Sequence, residues 1–395
     1  MKCPLPITRP LIAFIAVIGL AGTPAVASAQ SLFAQRGLGL IFEPQSARSA
    51  GLGGVTLGLP GLEIPWNNPA AAVGLPAAGL LVGAQVDGFQ ASYSGLETSG
   101  TTTRFPVIVA AIPFGRKFAV TAGFGTFLDQ RWAIEHRDTL IVDSDSLGVT
   151  DRVSSDGGVS RLRVGGGYLI APNLSIGLGL DLYTGGTDRV TARYFSGQPT
   201  PGCCSAQWEY SGTGALASLD WYPSPALRVS FAGSAGGTLK AKPKSDDKVS
   251  VASDYSMPAT VSLGASGRVT ANTLIAASAG WSGWSSVDES LAGAGGARDI
   301  WSAHGGLEWD ALAILGRPVP LRVGGRYQGL PFRAERATDA PWSAEKAFSL
   351  GTGVVLGGGA ARTDFSLERG RRGGVSDGLE ESFWRFNFSV SVLGQ

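Results

Sequence analysis

Period-two alternation, sustained through one segment after another, is the property that most limits what this chain can become. Leu174, Ile176, Leu178, Leu180 and Leu182 alternate with Ser175, Gly177, Gly179, Asp181 and Tyr183. Near the C-terminus Trp384, Phe386, Phe388, Val390 and Val392 alternate with Arg385, Asn387, Ser389 and Ser391. Such patterns give a strand one apolar face and one small or polar face. Similar segments of about ten residues or more recur along the chain, the length a tilted strand needs to cross a bilayer. About fourteen can be placed between residues 78 and 394, among them 102–113, 117–137, 157–171 and 272–288. Short connections at 114–116, 172, 223–225, 270–271 and 359–360 alternate with longer ones at 138–156, 195–204, 242–252 and 331–344. The expected fold is therefore all-β, a transmembrane antiparallel barrel with both termini on the periplasmic side. A soluble β-sandwich or propeller would also alternate, but would not require the short-long rhythm or glycine at so many inward positions.

Lys2 and Arg9 precede an apolar run from Leu11 to Ala21, and Ala27-Ser28-Ala29 precede Gln30. That order matches the charged, apolar and cleavage regions of an exported precursor. The run is well short of the roughly 20 apolar residues of a spanning helix. We therefore expect a signal peptide over 1–29, a hatch in the lumen over 30–76, and the barrel over 77–395. Although 44% of the residues are hydrophobic and only 16% charged, no later run approaches a spanning helix, so membrane contact must come from strands. Losing the leader turns the formal charge of +1 slightly negative, which leaves no charge argument for nucleic acid. Beyond Cys3 the cysteines are the neighbours Cys203 and Cys204, either a strained adjacent disulfide or two free thiols, and their spacing fits no zinc site.

If the Leu, Val and aromatic positions face lipid, the opposite face carries Arg161, Arg163, Asp181, Asp220, Arg228, Arg268, His304, Glu308, Asp310, Arg322, Arg326, Asp364, Glu368 and Arg385. Both signs are interspersed, which predicts a ladder of ion pairs that satisfies charge in the lumen. A sharper expectation is that Arg322, Arg326 and Arg385 bind a carboxylate head group, since guanidinium matches it bidentately. The segment 30–76 carries Leu57, Leu59, Leu62, Ile64, Trp66 and Val73, too apolar to hang free in the periplasm. It should pack in the lumen, with Leu57, Leu59 and Trp66 as candidate lining for a lipophilic ligand.

Motifs for chemistry are missing. The sequence has no His-Glu-x-x-His, no Gly-x-Ser-x-Gly and no Gly-Lys-Ser/Thr phosphate loop, so neither an enzyme nor a cofactor or metal site is expected. The two histidines are His136 and His304, the latter expected to hydrogen-bond in the lumen. Glycines 165–167 and 357–359 fall in strand pattern with no helix after them, so close packing or bends explain them. Asp143, Asp145 and Asp151 offer oxygen ligands, but Leu147 stands where a calcium loop needs an acid.

The run Arg48-Ser49-Ala50-Gly51-Leu52-Gly53-Gly54, followed by Asn68-Pro69-Ala70, resembles the hatch signature of the FadL-type outer-membrane transporter superfamily. Met257-Pro258-Ala259-Thr260-Val261-Ser262-Leu263-Gly264 with Trp281 and Trp284, then Leu321-Arg322-Val323-Gly324-Gly325-Arg326-Tyr327 ending at Pro331-Phe332, look like its later strands. The resemblance implies a bacterial outer-membrane location, a fourteen-stranded barrel, and a long-chain fatty acid or other hydrophobic compound bound between hatch and wall. It also implies sideways release into outer-membrane lipid through a break in the wall, for which Pro106 is the candidate because proline removes a ladder hydrogen bond. The chain ends Val392-Leu393-Gly394-Gln395 without the terminal aromatic common in such strands. Its hatch is short, as in PorV-like relatives that serve as scaffolds. The alternative function is thus a non-transporting scaffold whose extracellular loops bind a protein partner.

Overall fold

The computed structural model describes residues 31–394 apart from 62, 94–95, 143–144, 196–201, 245–251, 292–295, 315–316, 334–340 and 375–377. The expected signal peptide and Leu62 lie outside the described residues. Fourteen antiparallel strands close into a barrel. Strand β1 is Gly79–Tyr93, and β2 runs in two pieces, Leu96–Arg104 and Val107–Phe114. Strand β3 is likewise split, Phe118–Asp129 and Trp132–Val142, and pairs with β4, Asp145–Ala171. Then come β5 (Leu174–Phe195), β6 (Gly202–Ser224), β7 (Leu227–Pro243) and the divided β8 (Ser253–Ser256 and Thr260–Thr270). The circuit is completed by β9 (Thr273–Ser282), β10 (Ile300–Ile314), β11 (Arg317–Gly329), β12 (Ala344–Leu356), β13 (Ala361–Gly374) and β14 (Leu379–Leu393). β14 pairs with β1 along its whole length, from Leu379↔Tyr93 to Leu393↔Gly79, so the cylinder has no free edge at that join.

Alternation decides which way each side chain points. Leu178 and Leu180 are 69% and 67% exposed, whereas Asp181 is 1% exposed. Only a molecule whose outer surface meets lipid turns this many leucines outward while burying carboxylates, because in hydrocarbon an exposed Leu is no burden and an exposed charge is costly. The bends at 114–118, 171–174, 224–227, 270–273 and 356–361 all lie at the end that also holds Gly79 and Leu393. At the last of these, Gly357, Gly358 and Gly359 adopt φ of 59°, 65° and 104°, a left-handed path that favours glycine.

Three expected boundaries move. The outer loop 138–156 is instead a ribbon, in which Trp132–Val142 pairs with Asp145–Ser155. Its β-branched residues, including Ile134, Thr139, Ile141, Val149 and Val153, extend the hydrogen-bonded ladder beyond the bilayer, where judging a strand by membrane thickness does not apply. The strand expected over 272–288 stops at Ser282, and Trp284–Ser290 forms a 3-10 turn that buries Trp284 against Phe127 and Phe332. The second strand begins at Leu96, ahead of the expected 102, and breaks at Phe105-Pro106. Among the described residues no helix is long and apolar enough to cross a membrane.

Residues 31–78 run through the lumen. The short helix α1, Ala47–Gly51, is capped by Ser46, whose Oγ accepts the Ser49 N–H at 3.0 Å, and packs against β11 to β14. A 3-10 turn, Pro69–Gly74, packs against β3 to β6. Inward glycines let these backbones approach the wall. A Cβ on Gly306 would lie 2.7 Å from the Leu52 Cα, and one on Gly165 would lie 2.7 Å from Pro69 Cγ. One on Gly324 would collide with Gly53 N and the Leu52 carbonyl carbon. Since both are backbone atoms, Gly324→Val should cost roughly 1–3 kcal/mol or more through overpacking. Its urea midpoint, read from the heat-modifiable gel band, should fall well below that of Gly325→Ala, whose added methyl has room outside the wall.

Candidate functional site

Three buried charge clusters fix the lumenal segment to the barrel. In the first, Arg48 of α1 forks onto Glu308 of β10, with Nε to Oε2 at 2.9 Å and Nη2 to Oε1 at 2.7 Å. Glu308 also accepts Arg322 Nε at 2.6 Å, and Arg322 reaches Asp364 at 2.9 Å, which holds Arg362 at 2.7 Å. In the second, Arg326 pairs with Glu345 at 2.5 Å and Glu368 at 2.7 Å, and Arg385 pairs with Asp87 at 3.0 Å and Glu368 at 3.5 Å. Arg372 joins Glu345 to Glu381. In the third, Arg163 forks onto Asp181 at 2.6 and 2.7 Å, and Arg228 holds Asp220 at 2.9 Å. Bidentate guanidinium–carboxylate geometry of this kind offsets part of the large cost of desolvating the ions.

The expected charge ladder is therefore present, with two members at its edge: Arg268 and Asp310 pair at 3.6 Å near the periplasmic mouth, where Arg268 is exposed. Asp87, Arg104, Asp129, Glu345, Arg362, Arg372 and Glu381 also belong to the buried network but were not named from sequence, and Arg48, named there only as part of the glycine-rich motif, belongs to it too. Following the inward parity of the first, twelfth and last strands would have found Asp87, Glu345 and Glu381. Arg322, Arg326 and Arg385 are brought near one another, yet the carboxylates that hold them are the protein's own. They are absent from the lining of the central cavity, whose guanidinia are those of Arg161 and Arg163.

That cavity, about 90 Å³, lies between the lumenal segment and the wall. Phe42, Leu57, Phe127, Tyr183 and Trp284 form its apolar side, and Ser234, Thr260, Ser262, Ser278 and Ser302 line it with hydroxyls. His304, also in the lining, hydrogen-bonds through Nδ1 to the Gly53 carbonyl at 2.9 Å. Leu59 packs one layer away with Leu52, Val55 and Ala276. Trp66 lies under both Arg161 and Arg163, 5.5 and 5.4 Å from their guanidinium carbons, and lines a smaller cavity beside Leu81 and Val107.

The glycine-rich motif shapes the segment's turns. Gly53 and Gly54 take φ of 73° and 87°, and Gly51 packs on Gly351. Asn68 points its amide at Asp220, 3.5 Å away, while Pro69 opens the 3-10 turn. Ala70 exchanges hydrogen bonds with the wall, donating to Ser218 Oγ at 3.2 Å and accepting from Ser175 Oγ at 2.9 Å.

Two joins in the wall are only partly paired. Among the described residues β8 and β9 have no ladder outward of Thr260↔Ser282, Ser253–Ser256 pairing with β7 alone. The other is a seam between β2 and β3. Val107–Phe114 of β2 is laddered to Phe118–Gly125 of β3. Beyond it Leu96–Arg104 pairs with β1, and Trp132–Val142 pairs with β4. Leu128 and Asp129 pair instead with Ile41 and Leu40 of the lumenal segment. Among the described residues no ladder joins β2 to β3 outward of Val107↔Gly125. Pro106 stands at the apex, where the register with β1 shifts between Gln85↔Arg104 and Val82↔Ile108. Arg104 bridges the seam base to Asp129 at 3.1 Å.

The remaining sequence candidates lie outside. Cys204 is an exposed free thiol. Asp151 is held by Arg193 at 2.6 Å, and that hydrogen bond keeps its carboxyl below the usual range. The side chains of Asp143 and Asp145 lie outside the described residues.

Glu308→Leu should strand Arg48 and Arg322 without their shared carboxylate, costing about 3–5 kcal/mol. Arg48→Met combined with Glu308→Leu should recover part of that loss, a coupling that a double-mutant cycle in urea measures.

Solved structures share this architecture. A Pseudomonas aeruginosa FadL homologue superposes with a TM-score of 0.60 at 13% identity, covering 89% of this chain and 99% of its own. The Pseudomonas putida toluene transporter TodX gives 0.57 at 16% identity, covering 89% and 98%. The CymD monoaromatic hydrocarbon channel gives 0.56 at 16% identity, covering 90% and 99%. No curated protein matches the chain. The fold is thus that of the FadL-type outer-membrane barrels. The sequence matches the family described as BamG over residues 7–253, more than half its length, and the chain belongs to that family.

Proposed function

We propose that this protein carries small hydrophobic compounds across the outer membrane. They bind in the cavity between hatch and wall and leave sideways through the seam at Pro106. The observation that carries this reading is the seam itself. In hydrocarbon every backbone N–H and C=O needs a partner, and beside the cavity the β2–β3 join carries no ladder outward of Val107↔Gly125 among the described residues. The apolar side of the cavity, with Leu57, Phe127 and Trp284, suits a lipophilic ligand. Trp66 and Val107 lie on the way to the break. A volume of about 90 Å³ favours a compact molecule over an extended fatty-acyl chain. The names of TodX and CymD, a toluene transporter and a monoaromatic channel, point the same way.

A second reading, a surface scaffold, draws on one observation. The β4 strand spans Asp145–Ala171, far beyond the 9–11 residues or so that a tilted strand needs in the membrane. Such a ribbon offers an extracellular partner a platform.

Uptake of labelled toluene and labelled palmitate by cells lacking their own transporters separates these possibilities. Toluene entry several-fold above the empty vector, with palmitate near background, is expected. Pro106→Val, which restores a ladder donor, should cut toluene entry while leaving the barrel folded on a heat-modifiability gel. A folded barrel that moves neither compound would remove the transport reading and leave the scaffold.

A further inference from the structure

The lipid-facing surface of β11 to β14 is laid out in cross-strand rows. One row runs Val323, Leu350, Leu367, Phe386, all apolar. The next row toward the extracellular end is Gly325, Phe348, Arg369, Trp384, and the one above it is Tyr327, Lys346, Arg371, Ser382. Over two strand steps the surface passes from hydrocarbon-facing side chains to three cations. Lys346 and Arg371 stand directly opposite one another, an arrangement that is destabilising between neighbouring strands unless an anion lies between them. Arg371 is 71% exposed and reaches Glu380 only at 3.6 Å. The Arg369 guanidinium carbon stands over the Trp384 ring, 5.0 Å from its centroid. Among the described residues no carboxylate ion-pairs with Lys346 or Arg369. All three point away from the lumen, since Glu345, Glu368 and Arg372 on the same strands are the inward residues.

We propose that Lys346, Arg369 and Arg371 form a binding site for the phosphate of an outer-leaflet glycolipid. Its acyl chains would lie along Phe348, Leu350 and Leu367, and Tyr327 and Trp384 would flank its head group. Height, charge and chemistry agree. The site sits at the outer rim of the apolar belt, where head groups begin, and aromatic residues mark that level. Guanidinium and ammonium groups together suit a phosphate monoester. Bound phosphate would relieve the facing pair Lys346 and Arg371, tying β12 to β13 on the outside of the wall where Glu345 and Arg372 tie it within. This site is independent of any passage through the lumen.

The test uses the purified full-length barrel in mixed micelles carrying bisphosphorylated lipid A, with dephosphorylated lipid A as the second probe, and counts bound lipid by native mass spectrometry. Each cation near an anionic head group strengthens binding roughly fivefold. The double variant Lys346→Gln, Arg371→Gln should therefore retain bisphosphorylated lipid A more than about tenfold less well than the parent. A control carrying Lys242→Gln and Lys244→Gln, on β7 and just beyond it, should bind as the parent does. The dephosphorylated lipid should bind all three alike and weakly. Equal retention by the double variant and the parent overturns the site, and so does equal retention of the two lipids by the parent. If the double variant folds poorly, Arg369→Gln alone, read the same way, should lower retention roughly fivefold, and an unchanged value overturns the proposal.

Discussion

The closing ladder between β1 and β14 is what permits everything else in this molecule. Inside a bilayer an open sheet edge would leave a row of amide and carbonyl groups with neither water nor protein to bond them, at several kcal/mol each. Fifteen residue pairs, from Leu379↔Tyr93 to Leu393↔Gly79, remove that edge. Closure then divides the side chains into two populations that never mix, because a strand has only two faces. Leucines and aromatics turned to lipid need no further stabilisation, whereas every Arg, Asp and Glu turned inward must find a partner within the cylinder.

How they find partners explains the lumenal segment. Wall charges alone do not balance locally: Glu308 faces Arg322 but also accepts the fork of Arg48, which arrives on α1. Leu32 N–H donates to Glu381 at 3.2 Å, and the Leu59 carbonyl accepts from Arg228. The segment is therefore part of the charge network as well as a filler of space. Inward glycines make the approach possible, since at Gly306 and Gly324 any side chain would meet the backbone of Leu52 and Gly53. Small residues on the wall and charged residues on the plug are two halves of one packing solution.

The seam is where this solution is interrupted. Strand β3 stays laddered to β4 through Leu128 and Asp129, while its other edge there pairs with Ile41 and Leu40 in place of β2. Pro106, lacking an N–H, stands where the two strands part, so the break falls where a ladder bond was already missing. Arg104, joined to Asp87 and Asp129, keeps the base of the seam in register by charge in place of backbone hydrogen bonds.

The strand count, the inward and outward faces, and the short bends were legible in the sequence because period-two patterning is a local property of each strand. Arg163, Asp181, Asp220, Arg228, Glu308 and Asp364 could be placed in the lumen by parity alone. The ribbon at 132–155 and the turn at Trp284 were missed, since a strand in water keeps the same pattern as one in lipid, and since Trp284 turns in to meet Phe127 and Phe332, far away in sequence. What the sequence by itself determined is a closed barrel with a polar, charged interior and a glycine-rich segment ahead of it, because alternation joined to the short-long rhythm of the connections calls for strands that cross a membrane, and in lipid those must close. Which arginine meets which carboxylate, whose backbone each inward glycine receives, and where the ladders stop were decided only by the tertiary structure. Those contacts link residues up to hundreds of positions apart, and their partners are set by the stagger of the strands around the cylinder, a quantity no single strand carries.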